Sequence, residues 1–338
     1  MIIPIISFSA LEFWLGGVDE SNYLNQYHPL KLPRHFDFSI TRQLACELIR
    51  EYHLSAPVHL MVPTNNNRRS NETFHLHSYP KHLPPNSFME LTSHLGEVLL
   101  VSSPEACFLY AASTLPFYEV VRIGCMLCAM YVSDKSQALL QRSRSPITNV
   151  RKIQQYLQKA DNVPGIKKAR RAIRYVVDNC NSPMEVSLAV LACLPIAQGG
   201  YGLERPIMNG ELHLSSTAAS KINIRQCRCD MVWEERKTVL EYDSNLTHLE
   251  KNQHEYDKKR ISAINISGYR IITLTAGQLS SFGKAEEVFS LLRNMLGMDP
   301  RKKRLKQYED LRWEVVHEIL LKKKTLQQIL GIGMQGNS

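Results

Sequence analysis

The chain has 338 residues, 44% of them hydrophobic and 22% charged, with a formal net charge of +9. This composition excludes a disordered chain, and the length exceeds what one core usually serves, so two globular domains are expected. The apolar start, Met1 to Phe13, lacks a basic opening, is interrupted by Glu12 and falls short of the roughly 20 residues a spanning helix needs, so neither an export signal nor a membrane segment is expected and the setting reads as cytoplasmic.

In chain order, Ser9 to Leu15 reads as a short helix, and Val58 to Val62 and Thr73 to Tyr79 as strands separated by the polar turn Asn65 to Asn71. Glu97 to Val101 is a further strand. Ser103-Pro104-Glu105 then opens a helix, with serine at the cap, proline at the first helical position and an acid in the first turn. A second helix spans Phe117 to Val132. These elements make a mixed α/β domain over 1–136 with no cluster of catalytic residue types, so its expected role is to bind or to regulate. The alternating His75 and His77 read as structural. The eight cysteines lie mostly in apolar stretches, which suggests reduced thiols, and Cys125 and Cys128 read as part of a buried helix because no second ligand pair follows them.

Residues 137–180 read as a linker followed by two basic helices, about Asn149 to Lys159 and Pro164 to Asp178. The stretch 151–180 carries a net charge of +6, Lys167, Lys168, Arg170 and Arg171 among its cations. The C-terminal stretch 301–338, read as a basic helical extension, carries +5 and opens on Arg301, Lys302, Lys303 and Arg304. Two such patches around a less basic middle fit a polyanion such as nucleic acid, held through its backbone, although each alone also reads as a solvated helix face.

Between the patches, over 181–300, a helix begins at Ser182-Pro183-Met184-Glu185, where serine and glutamate have capping-box spacing. A Gly and Pro rich crossing leads to two strands joined at Glu234 to Lys237. Their simplest antiparallel register pairs positions summing to 471, which sets Asp230 opposite Glu241. Asp243, two residues further along, keeps the same face, while Met231, Trp233, Leu240 and Tyr242 point the other way. Acids this close raise one another's pKa unless a positive charge intervenes, and a hard divalent cation is the expected remedy, held by Asp230, Glu241 and Asp243. A helix over Leu249 to Ser267, stopped by Gly268, presents Asp257 and Arg260 one turn apart as a surface ion pair. The apolar strand Tyr269 to Thr275 returns beside Thr238 to Asp243 in a right-handed crossover, and a last helix covers about Ala285 to Leu296.

From about Ser182 to Leu296 this series resembles the very-short-patch-repair (Vsr) endonuclease-like proteins of the PD-(D/E)xK superfamily. The resemblance rests on Glu185, Asp230, the run Glu241-Tyr242-Asp243-Ser244, His248, Asp257-x-x-Arg260 and the run from Gly268 to Thr275. It implies a restriction-endonuclease-like three-layer α/β/α core with a mixed central sheet, preceded by the smaller α/β domain. It further implies that Asp230 is the principal metal-binding aspartate and Glu241 the first acid of the second motif. Asp243 stands where many members carry a lysine that positions or activates the attacking water, and Ser244 replaces a common glycine. His248 is similar in place to a histidine that assists proton transfer. Val58 to Ser103 resembles the non-catalytic part of AbiE-type abortive-infection antitoxins, without room for the winged helix that often precedes it.

The expectation is a Mg²⁺ or Mn²⁺ dependent endonuclease acting on nucleic acid, DNA before RNA, in phage defence or repair. Asp230, Glu241, Asp243 and His248 are its catalytic residues, Glu185, Asp257 and Arg260 its supporting ones. The rival is a nuclease-like fold serving as an antitoxin-like binding or regulatory module with a vestigial acid cluster. A transcriptional regulator would need a helix-turn-helix, which the sequence does not show.

Overall fold

The computed structural model describes residues 1–16, 29–30, 36–63, 69–78, 83–91, 97–133, 141–223, 225–243, 251–298, 302–322 and 324–330. The chain is mixed α/β and divides into two compact units. One comprises Met1–Arg174 with Lys324–Ser338, the other Tyr175–Lys323.

The first unit is built on a six-stranded mixed sheet. Its strands are β1 (Ile2–Ile5), β2 (Pro29–Leu30), β3 (Val58–Val62), β4 (Phe74–Ser78), β5 (Phe88–Leu91) and β6 (Val98–Ser102), in the spatial order β2-β5-β6-β1-β3-β4. The central strands β1, β3 and β6 are nearly continuous apolar runs, as strands covered on both faces must be. β1 pairs in parallel with β6, and β3 with β4. Ser103 caps the helix Pro104–Thr114 as the sequence suggests, accepting the Ala106 N–H at 3.3 Å. That helix packs against the helices Ser7–Leu15, Phe117–Leu127, Val150–Gln158 and Ile166–Ala172. A short hairpin of β7 (Tyr131–Ser133) and β8 (Gln141–Ser143) follows the second of these.

Two expectations about organisation change here. The two basic helices expected after a linker, within 137–180, belong to the core of the first unit as far as Arg174, because Ile153, Leu157, Ala169 and Ala172 bury their side chains in it. The expected basic extension is broken into the helices Lys302–Gln307, Glu309–Val316 and Leu326–Leu330 with a π-helical turn His317–Leu321, and its last segment joins the first unit. The join has a charge reason: Glu119, only 3% exposed, pairs with Lys324 at 3.4 Å and with Arg122 at 3.7 Å. Gln327 adds a hydrogen bond to the Ser55 hydroxyl at 3.3 Å.

The second unit carries a four-stranded mixed sheet of β9 (Ile207–His213), β10 (Gln226–Trp233), β11 (Thr238–Asp243) and β12 (Arg270–Thr275), in the order β12-β11-β10-β9. β9, β10 and β11 form an antiparallel meander, and β12 returns parallel to β11 after the helix Lys251–Ile266. Gly268, at φ 84°, takes the left-handed conformation that ends that helix. On one side Leu212, Cys229, Val239 and Ile264 form a buried cluster. The helix Pro183–Cys193 is buried almost throughout, and Ser187 donates to the Ile319 carbonyl at 3.2 Å. Arg312, expected on a basic surface, is 1% exposed and forks onto Glu286 at 2.7 and 3.1 Å, with Tyr201 donating to the same carboxylate at 2.6 Å. Among the described residues no helix is long and apolar enough to cross a membrane.

Candidate functional site

The turn Glu234 to Lys237 fixes everything that follows. Arg236 and Lys237 donate their N–H groups to the Trp233 and Glu234 carbonyls, and Lys237 takes a left-handed φ of 47°. The strands leaving it pair Trp233 with Thr238, Val232 with Val239 and Met231 with Leu240, which is the register summing to 471. The next step outward brings Asp230 and Glu241 abreast. There the ladder ends, and Asp230 itself closes it by accepting the Tyr242 N–H on Oδ2 at 2.8 Å. Met231, Trp233 and Leu240 are buried, so the apolar face is the one the alternation requires.

A third carboxylate approaches from the helix Pro183–Cys193. Ser182 caps this helix by accepting the Glu185 N–H at 3.1 Å. The glutamate, however, reaches past the serine N–H expected of a capping box and takes the Asn181 N–H at 2.8 Å, the Asn209 amide at 2.6 Å and the Ser182 hydroxyl at 3.1 Å. Glu185 therefore has a structural hydrogen-bond set and an electrostatic tie to the site: burial pushes its carboxyl up, and the charge of Asp230 pushes it further.

Asp230 and Glu241 share this condition. Burial raises the Asp230 carboxyl above the usual range, opposed by the Tyr242 N–H, Arg260 and Arg228. Burial also raises Glu241, with Arg260 opposing and Asp230 adding to the rise. The positive charge beside the pair is Arg260, whose Nη1 donates to Glu241 Oε1 at 3.1 Å and to the Arg228 carbonyl at 2.9 Å. Arg260 thus makes a cross-element pair with Glu241, since the inward side of its helix faces the acids; its expected pairing with Asp257 lies outside the described residues. The buried Cys229 thiol hydrogen-bonds Glu241 as well, and the Cys227 contact, then burial, push that thiol upward.

The remaining expected residues fall differently. Asp243 is the half-buried last residue of β11, and its charge bears on the Tyr242 phenol but is not among the causes that shift Asp230 or Glu241. Among the described residues no three His, Cys, Asp or Glu side chains are placed to hold one metal ion, so the expected trio of Asp230, Glu241 and Asp243 is not assembled; Glu185 is a third acid, coupled to Asp230. His248, the Asp257 side chain, Arg301 and the side chains of Lys302, Lys303 and Arg304 lie outside the described residues. In the first unit the basic residues of the helix Ile166–Ala172 are largely engaged by the protein itself. Lys168 donates to the Leu115 carbonyl at 2.9 Å, Arg170 donates to the Leu157 and Ala160 carbonyls at 3.0 and 2.9 Å, and Arg171 lies over the Phe117 ring at 5.3 Å. Two of these four cations close the ends of neighbouring helices, a role favoured by the negative end of the helix dipole. Lys167 is exposed.

Two residues absent from the expected site belong to it. Asn209 stands in β9 at the position facing Asp230 and takes a φ of 52°, a left-handed conformation inside a strand. Its amide binds Glu185 and the Asn179 carbonyl, and its own carbonyl accepts from Arg228 at 3.2 Å. Arg228 lends further positive potential to Asp230. The Asn209-Gly210 dipeptide is a signal for such a backbone, since asparagine tolerates the left-handed region best among residues with side chains.

Comparison with protein-family models, curated proteins and solved structures finds no match to this chain.

Proposed function

We propose that the unit Tyr175–Lys323 is a restriction-endonuclease-like domain with a three-layer core, hydrolysing nucleic-acid phosphodiesters, DNA before RNA, with Mg²⁺ or Mn²⁺. The observation that carries this reading is the pairing of β10 with β11, whose register places Asp230 and Glu241 one step beyond the last paired residues, close enough that the charge of Asp230 bears on Glu241 and with both carboxyls raised by burial. The order of Glu185 helix, Asp230 strand, Glu241 strand, Arg260 helix and closing parallel strand supports it.

The residues fit the cation in number and kind. Magnesium commonly takes one or two carboxylates from the protein and completes its shell with water and substrate phosphate, so a third protein ligand is not required. Asp230 and Glu241 would hold it, and when bound it supplies Lewis-acid polarisation of the phosphate and an acidified water. The chain's own contributions follow from the hydrogen bonds. The Tyr242 N–H fixes the Asp230 rotamer, and Glu185, anchored by Asn181 and Asn209, maintains negative potential behind it. Arg260 holds Glu241 in place and puts a guanidinium where the phosphate charge arrives, filling the electrostatic part of the lysine that Asp243 replaces. His248 is assigned to proton relay by its order in the sequence. The role of the first unit is to bind or regulate, in a phage-defence or repair setting.

A second reading has its own observation. Arg260 already neutralises Glu241 without any metal, as a vestigial cluster in an antitoxin-like binding module would allow. Purified full-length protein should nick a plasmid with Mg²⁺ or Mn²⁺, and Asp230→Ala should abolish nicking while circular dichroism shows the fold intact. Cutting that persists in both Asp230→Ala and Glu241→Ala removes the assignment, and binding of nucleic acid without turnover or Mn²⁺ uptake by calorimetry establishes the rival.

A further inference from the structure

The first unit holds a second polar cluster, made by the parallel pairing of β3 with β4. That register puts His59 beside His75, and the two-residue period adds His77 on the same face. The three rings stack, with centroids 5.3 Å apart for His59 and His75, 5.0 Å for His59 and His77, and 4.6 Å for His75 and His77. His59 is the anchor. Its Nδ1 lies 2.9 Å from His77 Nε2 and 3.2 Å from the buried Ser7 hydroxyl, and its backbone N–H donates to Ser9 Oγ at 2.9 Å. Ser7 reaches it from the corner between β1 and the helix Ser7–Leu15, at a left-handed φ of 64°. A serine held in that conformation shows that the surrounding packing fixes the corner.

The cluster opens onto a cavity of 330 Å³ lined by Arg69, Ser70, His75, Leu76 and His77. Ser70 is tied to the strand by a bridge to His75, and the Arg69 carbonyl accepts the Leu76 N–H at 2.8 Å, so the segment carrying the guanidinium is fastened to β4. Among the described residues no carboxylate lines the cavity and the Arg69 side chain has no acidic partner. A guanidinium, two imidazoles and a hydroxyl therefore line one concave surface with no carboxylate of the described residues among them. Burial and the charge of His75 keep His59 largely unprotonated, lowering it to about 4, which accords with a cluster short of anionic compensation.

We propose that this cavity binds the phosphate group of a small phosphomonoester of mononucleotide size, held by Arg69, Ser70, His75 and His77. A guanidinium matches phosphate oxygens in a two-pronged geometry, and the imidazoles and hydroxyl supply the remaining donors. The volume falls at the small end of ligand pockets, about 300–1,000 Å³, which suits a mononucleotide better than a duplex lying across a surface. The site belongs to the first unit and does not depend on the nuclease reading.

The test is calorimetry on the full-length chain in metal-free buffer, titrated first with inorganic phosphate and then with adenosine monophosphate. Saturable binding with one site per chain is expected for both probes, weakened roughly tenfold or more by Arg69→Gln and by His77→Gln. Arg42→Gln, an equal loss of charge at an exposed position away from the cavity and from both basic patches, should leave it unchanged. Arg69 is exposed and bears no packing load, so its variant stays informative if His77→Gln disturbs the sheet. No saturable binding of either probe, binding indifferent to Arg69→Gln, or binding of only a duplex without terminal phosphates overturns the proposal.

Discussion

The two units solve the same problem in opposite ways. In each, a strand register aligns groups of one charge type: carboxyls across β10 and β11, imidazoles across β3 and β4. In the second unit the compensation is an imported cation, Arg260, helped by the Tyr242 N–H and the Asn209 amide. In the first unit His59 relieves the crowding by staying neutral. The contrast teaches that the way a like-charged cluster is relieved points to its ligand. On the two proposals, the acid pair would exchange its guanidinium for a metal ion, and the imidazoles and Arg69, without a described carboxylate beside them, would take an anion.

The largest effect should come from breaking the acid pair. Asp230→Ala removes one of the two carboxylates assigned to the cation, and nicking of a plasmid should fall by more than about 100-fold, equivalent to at least about 2.7 kcal/mol in the barrier. Retained activity would end the comparison on that side. Next comes the imidazole side. A histidine lowered from 6.5 to about 4 stays neutral in the fold while the unfolded chain takes up a proton below pH 6.5. The stability it permits is therefore complete above pH 6.5 and is lost as pH falls from there towards 4, by about 3 kcal/mol in all. Thermal melts from pH 7.5 to 4.5 should show His59→Gln losing less stability on acidification than the parent, and parallel curves for the two proteins would refute it.

How far these clusters were legible in the sequence follows from the range of the contacts that build them. The Asp230 and Glu241 pairing could be read because a four-residue turn between two apolar stretches sets the register locally. The alternation of His75 and His77 was visible in the same way. His59 could not be joined to them, since that needs the parallel register of strands without a short connection. The Glu241 partner of Arg260 could not be read from helical spacing, because it comes from the tertiary placement of the helix against β11. Basic residues were the least legible. Charge counting put Lys168 and Arg170 in a patch suited to nucleic acid and counted Arg312 in the charge of the C-terminal stretch, yet the first two close helix ends and the third is buried on Glu286. A long cationic side chain can serve a carbonyl or a carboxylate on another element, and composition does not say which. The mixed α/β class and most element positions were readable, whereas the return of the C-terminal segment to the first unit depended on the Glu119 and Lys324 pair, 205 residues apart.

A smaller effect tests whether Arg260 truly stands in for a cation. Arg260→Leu leaves Glu241, 13% exposed, without its counter-charge and should destabilise the second unit by about 1–2 kcal/mol, discounted for the partial exposure of the pair. Mn²⁺ affinity measured by calorimetry should rise in the same variant, since the ion no longer competes with a guanidinium. An unchanged affinity would mean that Arg260 and the metal do not share Glu241. The double variant Arg260→Leu with Glu241→Leu should recover most of the lost stability.

The smallest effect concerns the strained asparagine that ties the third acid to the sheet. Asn209→Ala loses the amide that binds Glu185 at 2.6 Å and leaves an alanine in a left-handed backbone that it tolerates less well, for a cost of about 1–2 kcal/mol. Asn209→Gly removes the backbone penalty but also loses the amide, so the difference between the two variants isolates the conformational part, about 1 kcal/mol. If Glu185 acts only as a helix cap, both variants should change melting temperature and leave Mn²⁺ affinity untouched. If its charge supports Asp230, freeing Glu185 should alter Mn²⁺ affinity in both variants by the same factor, because both lose the same hydrogen bond whatever their backbone cost. That equality separates an electrostatic role from a packing one, and unequal factors would show that the strand distortion, not the carboxylate, sets the geometry around Asp230.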